Sequence, residues 1–104
     1  MTRTLVVFVT CPTLLVGQRL AKALVTAKLA ACVNVLPHVE SVFTWKSKTA
    51  RARETLLIIK TPARRFEALR RAVVAHHPYE VPEVIALPVV AGHQAYLQWV
   101  ATAC

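Results

Sequence analysis

The stretch from Ala31 to Thr61 restricts the possible folds more than any other part of the chain. Ala31 to Leu36 is apolar, Pro37-His38 interrupts it, and Ser41 to Lys46 resumes as Ser-Val-Phe-Thr-Trp-Lys. Proline cannot donate to a ladder, so this reads as one long strand with a bend or bulge near Pro37. Lys46 to Arg53 is polar and reads as a turn region, with Glu54 to Thr61 as the returning strand. The product is an extended hairpin, longer than a small sheet needs.

The remaining elements fall around it. Leu5 to Val9 is short, β-branched-rich and wholly apolar, which reads as a central strand buried on both faces. Thr10-Cys11-Pro12-Thr13 breaks it, and Thr13 fits an N-cap for a helix over Leu14 to Lys28. Val16, Leu20, Ala23, Leu24 and Ala27 share one face of that helix. Pro62 and Ala63 open a second helix running to about His76. Phe66, Leu69 and Val73 form its inward stripe, and Arg64, Arg65, Arg70 and Arg71 face solvent, with Glu67 spaced to pair with Arg71. His77-Pro78 ends it, because the residue before a proline disfavours the α region. Val84 to Val90 reads as a further buried strand, and Gly92-His93 start a short helix carrying Tyr96, Leu97, Trp99 and Val100.

The order β-α-β-β-α-β-α predicts a single α+β domain over residues 1–104. Its economical form is a ferredoxin-like βαββαβ sandwich plus a C-terminal helix, with both long helices on one face of a four-stranded sheet. Strands separated by helices are then parallel neighbours or near neighbours. The other face is left bare. Together with the overlong hairpin, a bare apolar face argues for self-association, with the last helix as a further cover.

Composition bears on the same point. The chain is 56% hydrophobic and 17% charged, which is apolar for so small a monomer and suggests that partner subunits cover part of the surface. The alternative is an Ala- and Val-rich monomer. Thirteen Lys and Arg against five Glu leave a net charge of +8, which favours non-specific contact with anionic surfaces without specifying a fold. Cys11, Cys32 and Cys104 are odd in number and lack a CxxC spacing, so a reducing, cytoplasmic setting is expected. Arg3 and the apolar stretch Leu5 to Val16 imitate a signal peptide. Pro12 interrupts it, however, and cleavage would remove a strand and a helix. No run reaches the length of a membrane span.

The chemistry-bearing residues concentrate in His76-His77-Pro78-Tyr79-Glu80-Val81-Pro82-Glu83, where a helix ends and leads to a strand. Imidazole and carboxylate together suit copper(II) or zinc, and the two prolines stiffen the loop. Equally, a histidine at a helix C-terminus complements the dipole, and Tyr and Glu can hydrogen-bond the loop. Cys11, just past the first strand, would add a soft ligand, or serve as a small buried hydrophobe. Cys32 reads as core and Cys104 as exposed. With no Asp, two glycines and no G-x-S-x-G elbow, the chain lacks the usual apparatus of nucleophilic or phosphate chemistry, and no catalytic site is expected.

Several segments resemble the CutA family of divalent-ion-tolerance proteins: Leu29 to Asn34 (LAACVN), Glu40 to Lys46, Glu54 to Thr61, His76 to Glu83 (HHPYEVPE) and Tyr96 to Val100. They cover nearly the whole chain in the family's order. The resemblance implies a ferredoxin-like homotrimer in which long hairpins pair strands between subunits. It also implies a non-enzymatic role in divalent-cation tolerance or signalling, and copper binding. Carried over, the implied metal ligands are His76, His77 and Glu83. The family's cysteine position falls on Val9, with Cys11 two residues later on the same side of an extended strand. Ser47 replaces the usual Gly after Trp-Lys.

A basic nucleic-acid-binding module is the rival reading, because RNA-recognition domains share this fold. They stack bases on aromatics of the two central strands, and here the third strand carries none. No specific nucleic-acid partner is therefore expected. An acylphosphatase-like enzyme would need glycines between the first strand and helix, where Thr10-Cys11-Pro12-Thr13 has none.

Overall fold

The structure is a computed structural model describing residues 3–104. Strands β1 (Thr4–Cys11), β2 (Cys32–Trp45), β3 (Lys48–Pro62) and β4 (Ile85–Pro88) form one sheet in the order β2-β3-β1-β4. Helices α1 (Leu14–Thr26), α2 (Phe66–His76) and α3 (Gln94–Ala103) complete the α+β architecture. Every neighbouring pair is antiparallel. β1 and β2 run the same way only as near neighbours, each bonded to β3.

Alternation along β1 divides the sheet into two faces. Leu5, Val7, Val9 and Cys11 are buried, and with Leu57 and Ile59 of β3 they pack under Leu20 and Leu24 of α1 and Leu69 and Val73 of α2. Val6, Phe8 and Thr10 point the other way and are half-buried. β1 is thus sealed on one face, not on both as expected, because both long helices lie on the same side. The expected strand over Val84 to Val90 is likewise shorter and more open. Only Ile85–Pro88 pairs, with Ile85 54% and Leu87 53% exposed. α3 packs against β3 and β1 and buries Val100 apart from the main core. Arg64 donates to the carbonyls of Ala101 and Cys104 at 2.7 and 2.9 Å, anchoring the end of that helix.

The helices begin and end for local reasons. Thr13 caps α1 by accepting from the Val16 amide at 3.2 Å. At its other end Leu29 N–H bonds Leu24 O at 2.9 Å and Lys28 N–H bonds Val25 O at 3.0 Å, with Lys28 left-handed at φ 59°. This is a Schellman closure with lysine where glycine is usual. The buried side of α1 is Gly17, Leu20, Ala21 and Leu24, rotated from the expected stripe, and Ala23 and Ala27 are exposed. Gly17 accounts for the rotation: a Cβ there would meet Thr55 Cγ2 at 2.9 Å, so the helix sits on β3 through its glycine. On α2, Glu67 pairs with Arg70 rather than Arg71.

The hairpin is longer still than its apolar pattern suggested. The bulge falls between Leu36 and Val39, with His38 at φ 64°. Pairing continues to Trp45 opposite Lys48, so Lys48 to Arg53 is strand and the turn is only Lys46-Ser47. Both turn residues have positive φ, 51° and 66°, as a type I′ hairpin demands. Serine is strained there and glycine is not. Ser47→Gly should therefore raise unfolding stability by about 0.5–1 kcal/mol, read from urea midpoints at unchanged slope.

Candidate functional site

The loop from His77 to Val84 closes over the end of β1, and the sheet's register explains why. Val89 N–H bonds Thr4 O at 2.9 Å, so in the antiparallel pattern the carbonyls of Thr4, Val6, Phe8 and Thr10 all aim at β4. β4 pairs no further than Ile85 opposite Phe8. Continued pairing would set Glu83 opposite Thr10, but Pro82 lies before it and the chain has left the sheet. The Thr10 carbonyl is instead met by His77, whose Nε2 lies 2.7 Å away. The other ring nitrogen, Nδ1, accepts the Tyr79 amide at 3.1 Å. An amide N–H can only donate, so the proton sits on Nε2 and both ring nitrogens are engaged. His77 is 8% exposed, and its ring lies 4.8 Å from that of Tyr79.

Tyr79 extends the network by donating its hydroxyl to Glu54 Oε2 at 2.7 Å. Glu54 is itself 8% exposed, at the point where β3 emerges beyond β1. Burial and this bond push the Tyr79 phenol up to about 12. Cys11, fully buried and paired with Thr55, has its thiol raised from 9.0 to about 11 by burial and by the Glu54 charge. Glu83 is exposed as a residue, and its carboxyl is raised by partial desolvation and by Glu54.

His76 looks elsewhere. As the last residue of α2 it is exposed, and with Pro78 it borders a cleft of about 400 Å³ against Val16, Arg19, Leu20 and Ala23 of α1. The four residues expected to share a metal thus occupy three environments. His77 is bonded inward, Cys11 is buried in protonated form, and His76 and Glu83 are accessible. Among the described residues no three His, Cys, Asp or Glu side chains converge so as to hold an ion. Among the described residues, the donor set of one chain does not by itself fit a tightly held metal.

Glu54 and the Thr10 carbonyl were not singled out from the sequence. Their only signal is a carboxylate opening an otherwise apolar strand. Cys32 is half-buried beside Tyr96 rather than in the core, and Cys104 is half-buried rather than exposed. On the sheet's open face, Phe8 has Leu56, Ile58 and Lys60 as β3 neighbours, so the paired aromatic platform of RNA-recognition domains is missing.

A profile of the CutA1 divalent ion tolerance protein family matches residues 5–103. The chain belongs to the CutA1 family. It is 50% identical over 95 residues to the chloroplastic CutA 1 protein of Oryza sativa, covering 91% of this chain and 54% of that protein. Against the Thermus thermophilus divalent-cation tolerance protein CutA it is 44% identical, covering 90% and 91%. The crystal structure of CutA1 from Oryza sativa superposes with a TM-score of 0.95 at 46% identity, over 97% of this chain and 93% of that one. The CutA1 structure from Thermus thermophilus gives 0.92 at 42% identity, over 94% and 95%. The chain spans about half the length of the plant and human CutA proteins it matches.

The raised thiol and phenol set a pH dependence. A group whose folded pKa lies above its unfolded value contributes stability that is complete below the unfolded value and is lost as pH rises through the folded one. For Cys11 and Tyr79 that window opens at 9.0 and 10.0 and closes at about 11 and 12. Urea midpoints should hold up to about pH 8.5 and fall by about pH 10.5, with a shallower fall in Cys11→Ala.

Proposed function

We propose that this CutA1 protein works as a non-enzymatic homotrimer contributing to divalent-cation tolerance, and that copper or a similar ion meets it at the accessible donors His76 and Glu83. The observation that carries the reading is the uncovered ribbon. Glu40–Trp45 and Lys48–Arg53 pair only with each other, beyond the end of β1. Val42, Phe43 and Trp45 there are 58%, 42% and 61% exposed. A two-stranded ribbon is marginal alone in water and gains stability by packing on something else.

A second copy supplies a suitable surface. The open sheet face presents Phe8, Ile58, Ile85 and Leu87, a patch different from the ribbon. Contact between two unlike patches is head-to-tail, and a head-to-tail contact that closes gives a ring. Three subunits is the number the family resemblance implies. Among the described residues one chain brings no three donors together, so donors from a second subunit would complete a tight site. Supporting the non-enzymatic reading, burial and the Glu54 charge raise the Cys11 thiol to about 11 and both His77 ring nitrogens are engaged, so these two do not make a thiolate–imidazole pair.

Light scattering at micromolar concentration should give three times the 11.5 kDa chain mass, and Trp45→Lys with Phe43→Glu should shift it toward one. Calorimetric titration of copper(II) should show binding that His76→Ala weakens by about tenfold or more. A monomeric wild type would refute the assembly, and copper affinity unchanged in His76→Ala would refute the ion site.

A further inference from the structure

We propose that His77 serves as a latch that replaces the missing rung of the sheet at Thr10, and that no metal ion the protein binds is held by it. The inference narrows the ion reading above to donors other than His77, and it stands on geometry independent of that reading. β1 is one rung longer than β4 can serve, because the next residue of β4 in register would be Glu83, just after Pro82. A carbonyl drawn partly out of water and left without a partner is costly, and the Nε2–H of His77 at 2.7 Å supplies one.

The arrangement is closed on its other side. Nδ1 of the same ring accepts the Tyr79 amide, which holds the loop backbone over the ring. The Tyr79 hydroxyl then reaches across to Glu54 at 2.7 Å. Two contacts therefore pin one loop to two strands, through Thr10 of β1 and Glu54 of β3. A metal ion at either His77 nitrogen would break one of these bonds and expose a buried group. His76, one residue earlier and at the helix end, has no such bond among the described residues and remains accessible.

The latch predicts a single imidazole state. In protein labelled with ¹⁵N at histidine, long-range ¹H–¹⁵N spectra near neutral pH should show His77 as the Nε2–H tautomer with Nδ1 accepting a hydrogen bond. Saturation with zinc(II), chosen because it is diamagnetic, should leave both His77 nitrogens in place. If zinc binds and moves a His77 nitrogen to a metal-coordinated shift, the proposal is overturned. If zinc does not bind at all, the ion reading fails while the tautomer still decides the latch: an Nδ1–H tautomer, or exchange between the two, would overturn it. As a second arm, His77→Ala should lower the folding equilibrium constant by roughly 10- to 100-fold, and His77→Gln, which keeps an N–H donor, should restore part of it. Equal stability of His77→Ala and wild type would also overturn the latch.

Discussion

The pairing of β1 with β3 governs the rest of the molecule. It runs in unbroken register from Thr4 opposite Pro62 to Cys11 opposite Thr55. One side of this pair carries Val7, Val9, Leu57 and Ile59, all fully buried under the two long helices. The other side has only α3 to cover it, and keeps Phe8 and Ile58 half-open. Where β1 stops, β3 has seven more residues that pair with β2 alone. The end of this one pairing therefore produces both the uncovered ribbon and the edge on which the HHPYEVPE loop is fastened.

Those two consequences meet at Glu54. It is the first β3 residue past the end of β1, and it is buried because Tyr79 folds over to bond it. Burial raises the neighbouring Cys11 thiol, Tyr79 phenol and Glu83 carboxyl, and the negative charge of Glu54 adds to each. A thiol raised to about 11 keeps its proton at neutral pH, which suits a fastening better than a soft-metal cage, where thiolate is the ligand. Membership of the CutA1 family thus coexists with a chain whose histidine pair is divided, one ring facing inward and one facing solvent.

Much of the architecture was legible in the residues, for reasons that can be named. Pro37 announced the bulge because it has no N–H to give, and His77-Pro78 announced the helix end through the pre-proline restriction. By charge alone the polar run Lys48 to Arg53 reads as a turn, but it is strand. Its period-two pattern, with Ala50 and Ala52 on one side and Thr49, Arg51 and Arg53 on the other, is that of a strand. β1 and β4 read as buried on both faces because their residues are apolar throughout, but the two long helices lie on one side of the sheet and leave Ile85 and Leu87 about half exposed on the other. The latch was beyond reach, since Thr10 and Glu54 lie 67 and 25 residues from their partners and neither carries a local signature.

Dependence of the proposed ribbon contact on another subunit is tested most directly by amide hydrogen exchange over residues 40–53. These amides should be protected at micromolar protein and lose protection on dilution, while Val7, Val9, Leu57 and Ile59 stay protected throughout. Ribbon amides that exchange at the same rate at every concentration, whether fast or slow, would contradict it.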